Sequence, residues 1–273
     1  MIGHSQPPVR CVALDFDLTM FDYRHPADTC VLDPWFRKLD SHAVLLGIAS
    51  GRTLADLQEE LTKIGMTWAE PFPHFVIHEE FHIHWPAAPN PGSIREWNRG
   101  CDRSVEALCR EVRPYFDSCV AKLEDFGTKL EAGVTASPAG LTIVLENPEG
   151  AETVRAFLEA TVPTSASARI SRNHHIVLAT PSFYHKGSAL DFVRDEAGIP
   201  ADQLMAIGDN LNDLAMMEVS RGFRCGTVSN AEPLVREAVA RRGGFLATLP
   251  IAFGVTELFE TVFESFGSDS AAA

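Results

Sequence analysis

Two carboxylates stand close together near the start of the chain. In residues 9–22, VRCVALDFDLTMFD, the apolar run Val12-Ala13-Leu14 ends at Asp15 and Asp17, with Thr19 two residues on. A short apolar run that stops at acidic residues reads as a buried central strand with a reactive C-terminal end. On extended backbone, residues i and i+2 project to the same side. Asp15 and Asp17 then share one small space, where two carboxylates repel unless a cation or a shared proton intervenes. The same stretch also reads as a strand followed by an acidic turn, because Asp is common in turns.

Three further features carry chemical potential. Ser50-Gly51 follows the apolar run AVLLGIA. A hydroxyl and free backbone N–H groups at a strand-to-helix turn make an anion site, although a plain Ser-Gly turn has the same sequence. Lys186 stands just before a helix. It supplies a point charge for a phosphate, or else it is a solvated surface lysine. Gly208-Asp209-Asn210-Leu211-Asn212-Asp213 follows another apolar run. Its oxygens suit a hard cation such as Mg2+. The alternative is a helix N-cap made by Asp209 or Asn210, with Asp213 favouring the helix dipole.

The elements that position these residues alternate in type. Strands are expected at 10–15, 43–49 and 74–78. Between them lie a helix with Asp33 as N-cap and Pro34 at its first position, running to about Leu39, and a Thr53-capped helix to about Ile64, stopped by Gly65. The Pro-rich stretch 85–92 marks a domain boundary. Beyond it come a helix over 93–115, strands at 126–135 and 141–146, a helix over 149–160, and strands at 168–171 and 175–179. The first style then returns: helices over 186–196, 211–219, 231–241 and 255–266, with strands at 204–207, 223–228 and 244–247, and a frayed tail. The fold class is α/β. A doubly wound, Rossmann-like parallel sheet over 1–82 and 184–273 is split by an α+β insert over 83–183. All four chemical features then fall at C-terminal strand ends, where such sheets bind ligands.

Composition excludes several functions. The net charge of -14 disfavours nucleic acid or an anionic membrane as partner. Six scattered cysteines without a CxxC pair read as reduced thiols, not as a disulfide frame or zinc site. No apolar run reaches bilayer length, and the first residues lack the apolar core of a signal peptide. The expectation is a cytoplasmic protein, monomeric or weakly dimeric.

Four motifs, DFDLT, ASGR, HKGSAL and GDNLNDLAMM, occur in this order along the chain. In order and spacing the chain resembles the haloacid dehalogenase superfamily of aspartyl phosphohydrolases. The place and make-up of the insert resemble the type IIB (C2B) cap of Cof-type and sucrose-phosphatase-like sugar phosphatases. The resemblance implies a Mg2+-dependent phosphatase acting on a small phosphorylated metabolite, a sugar phosphate above all. Asp15 would be the nucleophile that forms an aspartyl phosphate, and Asp17 the acid and then the base. Ser50, Gly51, Lys186 and Asn212 would bind phosphate, with Asn212 either orienting Lys186 or touching the phosphate. Mg2+ would sit on Asp15, the Asp17 backbone carbonyl and Asp209, with Asp213 nearby, and Thr19 would order the loop. A phosphomutase using the same Asp pair, or a catalytically silent binding module, are the alternatives.

The chain departs from the family pattern twice. Leu18 stands where the family has Gly, and residues 76–81 stand where relatives carry an Asn-Gly turn. Among other polar residues, His78, His82 and His84 read as structural, and His174-His175 as exposed turn residues in the cap hairpin, with facing the substrate as the alternative. Asn230 reads as an N-cap. His185 is left open, and Arg52 either pairs locally or faces the cap.

Overall fold

The apolar run after Val9 forms the central strand of the molecule. In the computed structural model, which describes residues 8–66 and 72–263, β1 (Cys11–Leu14) is buried along its whole length. It pairs in parallel with β2 (Leu45–Ala49) on one side and with β9 (Leu204–Ile207) on the other. The sheet continues outward from β2 to β3 (Phe75–His78) and β4 (His82–His84), and from β9 to β10 (Arg224–Thr227) and β11 (Phe245–Leu246). Only β4 runs antiparallel. The strand order reverses at β1/β9, the crevice where open α/β sheets bind their ligands.

Both faces of this sheet are apolar, which explains the unbroken hydrophobic runs. Val12, Leu14, Leu46, Ile48, Met205 and Ile207 point into one core, against α1 (Asp33–Ser41), α2 (Leu54–Lys63), α6 (Pro233–Arg241) and α7 (Ile251–Val262). Cys11, Ala13, Ile77, Leu204 and Ala206 point into the other, against α5 (Lys186–Ala197) and the first half of α3 (Pro91–Val120).

A second, antiparallel sheet holds β5 (Leu130–Ser137), β6 (Gly140–Leu145), β8 (Ile176–Pro181) and β7 (Ala168–Asn173), in that order. Leu141, Ile143, Leu145, Val177 and Ala179 pack against α4 (Pro148–Thr161) and the second half of α3. The helix α3 serves both units: Ile94, Cys101 and Val105 pack on the main sheet, and Leu108, Val112 and Phe116 on the second. At 30 residues it spans about 45 Å. The architecture is a doubly wound core with an inserted α+β cap.

Several expected details differ. Asp33 lies inside α1, and Leu32 takes the cap position, because a short 3-10 helix (Pro26–Leu32) runs straight into it. Residues Leu211–Met216 form a 3-10 segment, not a longer α-helix. All six cysteines are free. Among the described residues no helix is long and apolar enough to cross a membrane. The first seven residues of the polar lead, the end of the last helix at Phe266 and the terminal tail lie outside the described residues.

One contact holds the strand that delivers Ser50. Gly47 on β2 faces Phe75 on β3, and a Cβ at Gly47 would fall 2.2 Å from that fully buried ring. The ring covers the glycine and has no free space to enter. Gly47→Val is expected to lower stability by about 1–3 kcal/mol in urea unfolding. Adding Phe75→Ala should recover part of that loss, since the two changes share one space.

Candidate active site

The four sequence features converge on one edge of the main sheet. Asp15 follows β1, Ser50 follows β2, Asp209 follows β9, and Lys186 opens α5. At the centre the Lys186 ammonium is fully buried. It donates to Asp15 Oδ1 at 2.6 Å and to Asp213 Oδ1 at 2.7 Å. His185 places this lysine by capping α5: its Nδ1 accepts the Ser188 N–H at 3.2 Å. Its imidazole is pushed down to about 3 by burial, then by Arg169 and Arg221.

The turn after β9 makes the cap that its sequence offered. Asn210 caps the 3-10 segment, and Asp213 Oδ2 accepts the backbone N–H groups of Asp209 and Asn210 at 3.0 Å each. Those bonds leave Asp213 Oδ1 for Lys186. Thr19 ties the first loop to this turn by donating to Asp209 Oδ1 at 2.9 Å.

Asp17 is held from the side. Arg52 Nε donates to both its oxygens at 2.9 and 3.0 Å, and the Tyr23 hydroxyl donates to Oδ1. The Arg52 guanidinium lies 4.8 Å from the Tyr23 ring centroid. Arg52 therefore pairs with the Asp17 carboxylate. Neither Tyr23 nor this pairing was legible in the motifs.

Electrostatics reflect a surplus of acid. Burial raises Asp15 well above the carboxylate range, Asp213 adds to it, and Lys186 opposes it. Burial likewise raises Asp17 against the pull of Arg52. Asp209 rises to about 7 through burial and the charge of Asp213. Burial would lower Lys186, but Asp15 and Asp213 outweigh it and hold the ammonium well above its ordinary value.

Asp15, Asp209 and Asp213 are all buried and can each offer an oxygen within 4.8 Å of the others. That set of hard donors, in net excess over Lys186, fits a divalent cation such as Mg2+. No second such group was found among the described residues, so His78, His82 and His84 form no metal cluster there. His82 instead faces Asp102 at 3.1 Å, and His78 faces Glu79 at 3.2 Å.

Three expectations need correction. Asn212 does not hold Lys186; its Nδ2 donates to Glu80 Oε1 at 3.1 Å, and Asp213 orients the lysine. Asn230 is not the cap of α6, a place taken by Glu232. Its amide joins Leu18 O at 2.8 Å to the Ile251 N–H at 2.9 Å. His174 is not an exposed turn residue: half-buried at the tip between β7 and β8, it interacts electrostatically with Asp17. Ser50 is buried and its Oγ accepts the Arg52 N–H at 3.1 Å. Gly51 is exposed beside it.

A family model described as haloacid dehalogenase-like hydrolase matches residues 128–241. A sucrose-phosphatase structure from Synechocystis, in complex with sucrose and phosphate, superimposes with a TM-score of 0.64 at 15% identity, over 94% of this chain and 99% of that one. The chain shares its fold with haloacid dehalogenase-like hydrolases. A haloacid dehalogenase-like hydrolase structure from Bacillus subtilis aligns with a TM-score of 0.59 at 14% identity, over 92% of this chain and 99% of that one. In sequence, a phosphoglycolate phosphatase from Methanothermobacter thermautotrophicus is 45% identical over 62 residues. That match spans about a quarter of each protein, 23% of this chain and 27% of the relative.

The pH response of this site has a defined sign. Asp209 keeps its proton up to about 7 in the folded chain, whereas an ordinary aspartate releases it near 3.8. Its contribution to stability is complete below the lower value and is lost as pH rises through 7. The metal-free protein should therefore lose stability between about pH 4 and 7. Chelator-treated wild type and Asp209→Asn, melted across that range, should differ in slope, the variant being the flatter.

Proposed function

We propose that this hydrolase is a Mg2+-dependent phosphatase that cleaves a small phosphorylated metabolite, a sugar phosphate above all, through an aspartyl phosphate on Asp15. The observation that carries this reading is the buried Lys186 ammonium shared by Asp15 and Asp213 beside Asp209. A carboxylate nucleophile, a fixed cation and a cation-seeking acid cluster meet at one strand edge, as phosphoryl transfer requires.

In this mechanism an Asp15 oxygen bonds to phosphorus while the bond from phosphorus to the ester oxygen breaks. Asp17 gives that leaving oxygen its proton; the raised affinity of Asp17 for a proton supports this role. Arg52 and Tyr23 keep its carboxyl oriented. Asp17 then takes a proton from water, whose oxygen attacks phosphorus, and Asp15 departs as a carboxylate with inorganic phosphate as product. Ser50 Oγ, the Gly51 N–H and Lys186 hold the phosphoryl oxygens. A bound Mg2+, held by Asp15, Asp209 and the Asp17 backbone carbonyl with Asp213 behind them, would neutralise charge between an anionic nucleophile and an anionic substrate.

Residues 83–183 act as the cap that selects the leaving group. Their hairpin tip brings His174 toward Asp17, and Arg172 donates to Glu232 of the core at 3.0 Å. The likeness to the sucrose-phosphatase fold supports a sugar phosphate. The sequence match to phosphoglycolate phosphatase supports a second reading, a short phosphorylated acid such as phosphoglycolate.

A panel of sugar phosphates and 2-phosphoglycolate, assayed with Mg2+ for phosphate release, decides between them. Asp15→Asn should lose about 10³-fold or more in rate. Asp17→Asn should lose about 10²- to 10⁴-fold. Chelation should abolish turnover until Mg2+ is restored. Full activity in Asp15→Asn would sink the mechanism, and sugar phosphate returned as an isomer would make the protein a mutase.

A further inference from the structure

The turn between β3 and β4 places two side chains where glycine is usual. Glu79 and Glu80 have φ of 48° and 71°, the left-handed region that any Cβ disfavours. A tight hairpin turn with positive φ at two successive residues normally takes Asn-Gly. The Glu80 side chain does not extend into water; the residue is 6% exposed. Backbone strain that persists at such a place is a pointer to function.

The carboxylate points into the catalytic edge. Glu80 Oε1 accepts from Asn212 Nδ2 at 3.1 Å. It also lies directly over Gly51: a Cβ built there would fall 2.6 Å from the same oxygen. The Glu80 N–H donates to the Ser50 carbonyl at 3.1 Å, which fixes the turn against the phosphate loop. Lys186 feels its charge as well. Gly51 and Lys186 are two of the three groups assigned to phosphate, and the family resemblance adds Asn212 as a fourth candidate.

We propose that the Glu80 carboxylate occupies the seat of a phosphoryl oxygen in the free enzyme and is displaced when phosphate enters. The proposal rests on the phosphate cradle described under the proposed function. An acid in that seat repels every phosphate dianion. A substrate offsets this through its contacts with the cap, whereas inorganic phosphate has no such contacts. Glu80 thereby weakens both ligands at the phosphoryl group, the cap contacts leave the substrate the tighter binder, and free phosphate inhibits less.

Inorganic phosphate is the probe, titrated calorimetrically in Mg2+ and tested as a competitive inhibitor of turnover. Glu80→Gln removes the charge and keeps the acceptor for Asn212. Glu80→Gly removes the carboxylate and suits the backbone. Both should bind phosphate about tenfold more tightly or better, because a like charge at van der Waals range is gone. Unchanged or weaker binding in both, with melts showing them folded, overturns the proposal. Ser50→Ala separates the two readings, since its hydroxyl belongs to the cradle alone. If Ser50→Ala weakens phosphate several-fold and the Glu80 variants match wild type, only the Glu80 proposal falls. If Ser50→Ala binds like wild type, the cradle itself falls, and the proposal with it.

Discussion

One buried ammonium organises the candidate active site. Lys186 has no exposed side-chain surface and sits between two carboxylates at hydrogen-bond distance. An unpaired ammonium in that place would cost several kcal/mol in desolvation. Its partners are 171 residues before it and 27 residues after it in sequence. The first strand tip, the start of α5 and the turn after β9 are therefore fixed to each other by one charge. The pairing is not balanced: Asp15, Asp209 and Asp213 face a single lysine. Burial first, and then that surplus, raises the proton affinities of Asp15 and Asp209. A site with this balance favours either protons or another cation.

The sheet makes that convergence possible. Neighbouring strands lie about 4.8 Å apart, and parallel strands deliver their C-terminal ends to one edge. With β1 between β2 and β9, the residues that follow these three strands fall within about 10 Å. The cap reaches the same edge from the other side. Arg172, 11% exposed, joins Glu152 of α4 to Glu232 of the core, and Arg169 approaches Glu218 at 3.6 Å. Basic side chains of β7 thus meet acidic side chains of the core around the site. Since α3 belongs to both cores, the two units share one rigid element as well as these ion pairs.

Strand tips and helix starts were readable because they are local. Apolar runs ending at Asp15, Ala49 and Ile207, and Thr53 before its helix, carry their meaning within a few residues. The pairings of Arg52 with Asp17, Glu80 with Asn212 and Asn230 with Leu18 join positions 35, 132 and 212 residues apart. No periodicity records such contacts. The start of α1 was misread for a different reason: Asp33-Pro34 is a good opening signal, but the preceding 3-10 helix already supplies the first turn. The 211–216 segment stays 3-10 where a helix over 211–219 was expected. There Asn210 and Asp213 close a capping box, while Asp213 Oδ1 bonds the lysine.

The two departures from the family pattern share one physical cause. Leu18 has φ of 59°, and Glu80 has 71°. Both occupy backbone that glycine adopts freely, at a cost to L-residues of about 1–2 kcal/mol each. Such conformations survive only where the surroundings over-determine them. The Leu18 N–H donates to Phe21 O at 2.8 Å, and its carbonyl accepts from Asn230 at 2.8 Å. Glu80 is held by the Ser50 carbonyl at one end and Asn212 at the other. The loop that carries Asp15 and Asp17 thus keeps the glycine-type backbone without a glycine. What changes is the side-chain content: apolar bulk beside the acid pair, and a carboxylate over the anion turn. The second change adds negative charge where Asp15, Asp209 and Asp213 already outnumber Lys186, so it bears on the electrostatics of the candidate site more directly than on the fold.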